Sequence, residues 1–327
     1  MIFHLMGMPS RLSAALVGAF LASACQAPTD VLPSPAAASA VRSAVVDVPT
    51  VFAPNVISDE NEQWRITFTP DGKTAYFAES PEFFPFTRQA TIYLSTLVDG
   101  AWTEPVVAPF SGEYSDIDPF LSPNGQRLYF SSIRPVDGVT NGDIDLWMVE
   151  RTAQGWSEPI HLGPEVNSPT ADELYPSVSA NGTLYFASGP FFPQPGVGFD
   201  IYRAERDDNG FAPREALGSG VNTAPSSSDP DLQASWEFNP EISVDGKTLV
   251  FTSLRPGGFG FGDLYVSHLV NGEWTAAENL GPTVNTAADE FHPTLSRNRQ
   301  ELFFVRRIPE RGDFYVVSTS TLEALKR

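Results

Sequence analysis

Five similar tetrapeptides hold most of the residues in this chain that could do chemistry. They read QWRI, DIDP, ELYP, EFNP and EFHP, and they end at Ile66, Pro119, Pro176, Pro240 and Pro293. The third position differs in every copy: Arg65, Asp118, Tyr175, Asn239 and His292. A scaffold has no reason to vary one repeated position in polarity and charge, but a pocket for an asymmetric ligand does. These five residues are therefore the predicted ligand-binding site.

The first position of the tetrapeptides is nearly uniform, and two interpretations of it stay open. Its residues are Gln63, Asp116, Glu173, Glu237 and Glu290. Uniformity favours architecture, in which a carboxylate accepts hydrogen bonds from backbone N–H groups of a neighbouring chain crossing. The alternative is a glycoside hydrolase or lyase. It would need two carboxylates facing each other at about 5–9.5 Å, chosen from Asp118, Glu173, Glu237 and Glu290.

Other catalytic and metal motifs are weak in this sequence. Asp-x-Asp pairs that could hold Ca²⁺ occur at Asp116/Asp118, Asp143/Asp145 and Asp229/Asp231, although acidic turns often contain such pairs by chance. The glycine-rich segment 257–262 precedes a predicted strand and not a helix, so it does not match a phosphate-binding loop. The sequence predicts no cofactor, with Ca²⁺ as an open possibility, and favours binding over catalysis.

The tetrapeptides recur inside a longer unit, seen most clearly between residues 236 and 296. Hairpin dipeptides such as Asp245-Gly246 and Asn271-Gly272 separate four strand-like runs. The second run carries a bulky pair in every unit, beginning at Tyr76, Tyr129, Tyr185, Val250 and Phe303. The spacings between successive pairs are 53, 56, 65 and 53 residues, and a regular repeat of this length is typical of propeller blades.

The last unit ends before a fourth strand. In each of the other units an aromatic residue marks that strand: Trp102, Trp156, Phe211 and Trp274. Residues 45–56 resemble that missing strand. The predicted fold is all-β: a five-bladed β-propeller of four-stranded antiparallel blades, with the ring closed by an N-terminal strand.

Loop lengths single out one face of this propeller. The turns after first and third strands are short, whereas the second-to-third loops and the segment 222–235 are long. Elaborated loops on a rigid scaffold commonly carry function. They contain seven phenylalanines: Phe83, Phe84, Phe86, Phe191, Phe192, Phe259 and Phe261. These side chains either form a binding surface or fold inwards and seal gaps between blades.

The N-terminus reads as an export signal. An apolar run ends at Ala24, is too short to span a bilayer, and predicts a signal peptide over residues 1–24. Cys25, the single cysteine, follows it as in a bacterial lipoprotein, although Ala22 replaces the usual leucine; ordinary cleavage is the alternative. Gln26 favours the outer membrane. Residues 25–44 form a predicted Pro/Ala/Ser-rich tether, and the propeller occupies 45–327.

The formal charge of −20 argues against nucleic acid and against anionic lipid surfaces as partners. Membrane contact is then expected only through a lipid anchor on Cys25.

Three phrases together resemble a known repeat: NGQRLYFSS, VDGKTLVFTSLRPGGFGFGDLYVS and LGPTVNTAADEFHPTLS. They are similar to the TolB-type, WD40-like β-propeller repeat of bacterial envelope proteins, over about residues 60–320. The resemblance implies a propeller in the periplasm or at the outer membrane and leaves the activity open. The expected function is a monomeric binding module for a glycan or an envelope protein.

Overall fold

The structure is a computed structural model that describes residues 47–140, 142–190, 192, 194, 196–208, 210–224, 233–309 and 311–326. The predictions for the signal peptide, the tether, Cys25, Phe191 and the Asp229/Asp231 pair lie outside the described residues.

Five antiparallel sheets form the blades of a β-propeller, each built outwards from an inner strand. The inner strands of blades 1 to 5 are Glu62–Phe68, Asp116–Leu121, Asp172–Val178, Glu237–Ile242 and Asp289–Leu295. The second strands are Thr74–Ser80, Arg127–Ser132, Leu184–Gly189, Thr248–Ser253 and Glu301–Ile308. The third strands are Thr91–Val98, Asp145–Thr152, Asp200–Ala204, Asp263–Val270 and Arg311–Ser318. The outer strands are Val106–Val107, Ile160–His161, Glu215–Ala216, Glu278–Asn279 and Thr50–Val51.

The remaining elements are short. Two-residue strands lie at Ala101–Trp102, Gly155–Trp156, Arg206–Asp207, Gly210–Phe211 and Glu273–Trp274. One α-helical turn spans Phe84–Thr87, and 3₁₀ turns span Thr319–Thr321 and Glu323–Leu325. No helix in the described part of the chain is both long enough and apolar enough to cross a membrane.

The N-terminal strand closes the ring, as predicted. Thr50 pairs with Val316 and Val51 with Tyr315, so this strand becomes the outer strand of blade 5. The next residue, Phe52, makes edge contacts with Phe303 of blade 5 at 5.1 Å and with Phe68 of blade 1 at 5.8 Å. The closing strand therefore also fills the space between the last blade and the first.

The aromatic residues expected on the fourth strands lie slightly ahead of them. Trp102 pairs with Leu97 in a two-residue strand that folds back on the third strand. The outer strand proper comes a few residues later, where Val107 pairs with Tyr93. The same split occurs in blades 2 and 4. The tryptophan therefore marks the turn that precedes the outer strand.

The bulky pairs of the second strands supply the core. Their phenylalanines (Phe77, Phe130, Phe186, Phe251 and Phe304) are fully buried. In blades 1, 3, 4 and 5 the phenylalanine stacks on a third-strand tyrosine at 5.9–6.3 Å: Phe77/Tyr93, Phe186/Tyr202, Phe251/Tyr265 and Phe304/Tyr315. Phe130 and Trp147 occupy these positions in blade 2. We call each of these ring pairs an aromatic platform.

The short turns pack against one another at one end of the ring. Gly125 adopts φ 71°, and a Cβ there would lie 2.9 Å from Pro70 of blade 1. The Ala180 N–H of blade 3 donates to the Val244 carbonyl of blade 4 at 2.9 Å. The long loops occupy the opposite face, because strands alternate in direction across each blade.

Candidate functional site

Every inner strand is interrupted by a β-bulge at the third position of its tetrapeptide. Pairing with the second strand skips two residues after Gln63, Ile117, Leu174, Phe238 and Phe291. In blades 2 to 5 the third-position residue is left-handed, with φ of 57° at Asp118, 63° at Tyr175, 52° at Asn239 and 49° at His292. Such a conformation costs about 1–3 kcal/mol and persists only where the surroundings impose it.

The bulge separates two positions that simple strand alternation would place on one side. In blade 5, Glu290 accepts hydrogen bonds from the Arg306 side chain of its own blade and from the Thr286 N–H of the crossing before it. His292, two residues later, contacts Asp118 of blade 2 and Asn239 of blade 4. The bulge therefore directs the two sets of side chains to different partners.

The third-position residues meet at the centre of the ring. His292 Nδ1 lies 3.3 Å from Asp118 Oδ1 and 3.1 Å from Asn239 Nδ2. The ring of Tyr175 lies 5.5 Å from the His292 ring, centroid to centroid. Blades 2, 3, 4 and 5 are thus linked through one histidine.

Arg65 joins blade 1 to this centre. Its guanidinium forms an ion pair with Glu241, donates from Nη1 to the Pro240 carbonyl at 3.0 Å, and lies 5.1 Å from the centroid of the Phe120 ring. Sequence reasoning missed Glu241, although a signal was available. The other four inner strands carry Thr67, Phe120, Ser177 and Thr294 at this position, so its charge is unique. We call Arg65, Asp118, Tyr175, Asn239, Glu241 and His292 the central cluster.

Burial controls the charges of the central cluster. It raises the pKa of Asp118 to about 8 against the opposing effect of Arg65, and it raises the pKa of Glu241 to about 7. Burial also lowers the pKa of His292 well below its usual value, with Arg65 adding to the effect. Neither carboxylate oxygen of Asp118 has a hydrogen-bond partner among the described residues. Asp118 is therefore mostly protonated at pH 7, and His292 is neutral.

The five predicted ligand-binding residues thus converge, but they form a closed centre and not an open rim. Arg65, Asp118 and Asn239 are 0% exposed and His292 is 2% exposed. Tyr175 alone is half-buried; its ring packs on Phe238, a half-buried ring, at 5.7 Å. Direct contact between these five residues and a ligand stays a prediction.

The first-position carboxylates follow the architectural interpretation. Backbone N–H groups of the preceding crossing donate to three of them: Ser168 to Glu173 at 2.8 Å, Thr223 to Glu237 at 2.7 Å, and Thr286 to Glu290 at 2.9 Å. An arginine completes each site, namely Arg134 with Asp116, Arg214 with Glu173, Arg255 with Glu237 and Arg306 with Glu290.

These pairings bear on the hydrolase alternative. Of its four candidate carboxylates, Glu173, Glu237 and Glu290 are engaged by donors from their own blades. Asp118 keeps oxygens without hydrogen bonds, but it is fully buried. The catalytic assignment of these four residues stays a prediction.

The loop phenylalanines divide between buried and exposed positions. Phe84 is buried, and Phe83 packs on Trp64 at 5.7 Å, so these two seal the top of blade 1. Phe86 is 73% exposed and Phe192 67%, while Phe259 and Phe261 are each 49% exposed. We call the last four the phenylalanine surface; they lie on long loops of blades 1, 3 and 4.

The described part of the chain contains no group of three His, Cys, Asp or Glu side chains arranged to hold a metal ion. Asp116 is paired with Arg134, and Asp145 lies 3.3 Å from His161. A Ca²⁺ site stays a prediction.

Two cavities of about 580 Å³ lie away from the long-loop face. One is lined by Asp245, Lys247 and His268, beside Arg299 of blade 5. The other is lined by Asn124, Asn181 and Arg206, between blades 2 and 3. Both are at the end of the ring that carries the short turns.

In comparisons with known proteins, the sequence matches no described protein family and no curated protein. Solved structures do match. TolB from Acinetobacter baumannii is 16% identical with a TM-score of 0.48, and the match covers 80% of this chain and 53% of that one. A putative TolB from Agrobacterium tumefaciens is 16% identical with a TM-score of 0.47, covering 81% and 79%.

A GH43_12 protein retrieved from the capybara gut metagenome is 15% identical with a TM-score of 0.47, covering 80% of this chain and 53% of its own. The chain thus spans about half the length of two of these three structures. At such identities the likeness concerns the fold alone, and the resemblance to TolB-type propellers holds at that level.

Proposed function

We propose that this chain is an exported, lipid-anchored β-propeller that binds a partner in the cell envelope through its long-loop face. The observation that carries the proposal is the phenylalanine surface. Four large apolar side chains are held out to solvent on one face of a rigid ring. Long loops on a rigid scaffold commonly carry binding residues, and aromatic side chains are frequent among them.

A protein partner fits this surface better than a glycan does. Phenylalanine has no polar group with which to orient a sugar, and aromatic anchors are enriched at protein interfaces. The central cluster beneath the surface is closed, so a ligand would rest on the loops and not enter a deep pocket. A glycan remains the second outcome that the experiment must be able to detect.

Site-specific photo-crosslinking tests the proposal. A photoreactive phenylalanine analogue replaces Phe86 or Phe259 in the anchored protein within its own cell envelope. The matched control replaces Val270, an exposed apolar residue at the short-turn end of blade 4. We expect one adduct of defined mass from the two loop positions and none from Val270, identified by mass spectrometry as protein or glycan. No adduct from either loop position, or equal adducts from all three, would contradict the proposal.

The lipid anchor is tested separately by mass spectrometry of the mature N-terminus. Acylation of Cys25 adds the mass of the lipid to a chain that begins at that residue. An unmodified chain that begins at Cys25 or Gln26 would show ordinary secretion and remove the anchor from the proposal.

A further inference from the structure

Blades 2 to 5 each place an arginine over their aromatic platform. The guanidinium carbon lies 4.8 Å from the ring centroid of Tyr265 in blade 4 (Arg255) and of Tyr315 in blade 5 (Arg306). It lies 5.0 Å from Tyr202 in blade 3 (Arg214) and 5.5 Å from Trp147 in blade 2 (Arg134). The same four arginines pair with the first-position carboxylates. A guanidinium between a ring and a carboxylate is thus a repeated feature of this propeller.

Blade 1 builds the same platform without the arginine. Phe77 stacks on Tyr93 at 6.3 Å with an interplanar angle of 27°, as Phe251 stacks on Tyr265 at 6.3 Å and 28°. No described arginine lies over the Tyr93 ring, which is half-buried. Pro81 stands where blades 2 and 4 carry Arg134 and Arg255, four residues after the platform phenylalanine. Blade 1 therefore presents the ring with no cation of its own.

Blade 1 also has a carboxylate near its platform, but on the second strand and not on the inner strand. Glu79 stands at the second-strand position that holds Ser132, Ser188 and Ser253 in blades 2, 3 and 4. The inner strand of blade 1 carries Gln63 where the other blades have a carboxylate. Glu79 is 7% exposed, and no salt bridge to it occurs among the described residues. Its Oε1 is buried without a hydrogen-bond partner in the described part of the chain, and so is Oε1 of Gln63.

The other carboxylate oxygen of Glu79 accepts from a neutral amide. Asn61 Nδ2 lies 3.3 Å from Glu79 Oε2 and 3.3 Å from Asp59 Oδ2. The second oxygen of Asp59 accepts from Gln63 Nε2 at 2.9 Å. Burial, together with the Asp59 charge, raises the pKa of Glu79 to about 8. Two carboxylates and an orphaned amide oxygen thus lie together, and the described side chains that donate to them are the neutral amides of Asn61 and Gln63. A cation would complete this arrangement.

We propose that blade 1 binds the guanidinium group of a ligand between the Tyr93 ring and the Glu79 carboxylate, with Asp59 and Gln63 as further acceptors. The ligand supplies the arginine that the other four blades carry themselves. A planar guanidinium stacks on an aromatic face and donates several hydrogen bonds in one plane. A metal ion would satisfy the oxygens but would leave the platform unused. This inference goes beyond the proposed function, because none of these residues belongs to the central cluster or to the phenylalanine surface.

Calorimetric titration of the purified protein with N-acetyl-L-arginine amide tests the inference. The matched probe is N-acetyl-L-citrulline amide, which keeps the shape but replaces the guanidinium with a neutral urea group. We expect the arginine probe to bind at least ten-fold more tightly than the citrulline probe. An arginine-containing peptide in a third titration then separates a free small molecule from a partner's side chain as the source of the group.

Two variants locate the site. Glu79→Gln should weaken binding of the arginine probe at least ten-fold, whereas Glu150→Gln, at a partly exposed carboxylate on blade 2, should leave it unchanged. Pro81→Arg restores the arginine of blades 2 and 4, so it should abolish binding and raise the melting temperature. This second variant keeps the test decisive even if Glu79→Gln folds poorly.

Three results would overturn the inference. The first is an arginine probe that binds no better than citrulline. The second is binding that persists in Pro81→Arg. The third is binding of Ca²⁺ alone with the same dependence on Glu79 while the arginine probe does not bind, which would make the cluster a metal site.

Discussion

The first and third positions of the tetrapeptides lie two residues apart on the same strands, yet they have different structural roles. The first-position carboxylates are nearly identical, and each pairs with an arginine of its own blade, as Glu290 does with Arg306. The third-position residues all differ, and they contact one another across the ring, as His292 does with Asn239 and Asp118. The first position is nearly uniform because its residue makes similar local contacts in blades 2 to 5. The third position varies because its five residues pack against one another in a single centre.

The largest expected effect comes from breaking the shared centre. Arg65→Ala leaves Glu241 buried without its cation, and we expect a loss of about 3–5 kcal/mol in the free energy of unfolding. Urea denaturation measures it. The matched control is Arg127→Ala, whose pair with Glu150 is partly exposed, with an expected loss of about 0–1 kcal/mol. A similar small loss for Arg65→Ala would contradict the closed centre. Replacing both partners, Arg65→Met with Glu241→Leu, should recover much of the stability.

Breaking one first-position site should cost less and act locally. Glu290→Gln keeps the size of the side chain but removes the charge opposite Arg306, with an expected loss of about 1–3 kcal/mol. Hydrogen exchange should accelerate at the Thr286 N–H and leave blades 2 and 3 unchanged. If the loss matched that of Arg65→Ala, or if exchange accelerated around the whole ring, the distinction between local and shared sites would fail.

The buried Asp118 should also show in the pH dependence of stability. Folded Asp118, with a pKa of about 8, keeps its proton over a range in which the unfolded chain has lost it, starting near the ordinary pKa of about 3.9. The unfolded state then binds fewer protons, so stability falls as pH rises from about 4 to 8, by at most about 1.4 kcal/mol per pH unit.

The Asp118→Asn variant removes this contribution. Its urea midpoint should therefore decline less than the wild-type midpoint between pH 5 and pH 8. Glu150→Gln, at a partly exposed carboxylate on blade 2, serves as the matched control. Parallel declines in Asp118→Asn and the wild type would show that Asp118 is ionised in the folded protein.

Sequence reasoning reached the blades, the ring closure and the long-loop face because these depend on local signals. Asp245-Gly246 fixes a hairpin, and the aromatic run at Tyr185 and Phe186 fixes a buried strand. The missing fourth strand predicted the pairing of Thr50–Val51 with blade 5.

Two features of the centre could not be predicted from such signals. A residue before proline favours extended backbone, yet Tyr175 and His292 adopt φ of 63° and 49°. Contacts across the ring impose that conformation, and sequence spacing does not encode them. Burial of Arg65 was missed for the same reason. Its partner Glu241 is far from it in the sequence and becomes a neighbour only when the five blades form a closed ring.

The protonation of His292 tests the closed centre most directly. Proton NMR follows the imidazole Hε1 resonances from pH 7.5 to pH 5, and a His292→Gln variant assigns the signal. Because burial and Arg65 lower the pKa of His292 well below its usual value, its resonance should stay unchanged across this range while the fold persists. A titration near pH 6.5, as for a histidine in water, would show that solvent reaches the centre and would contradict the account.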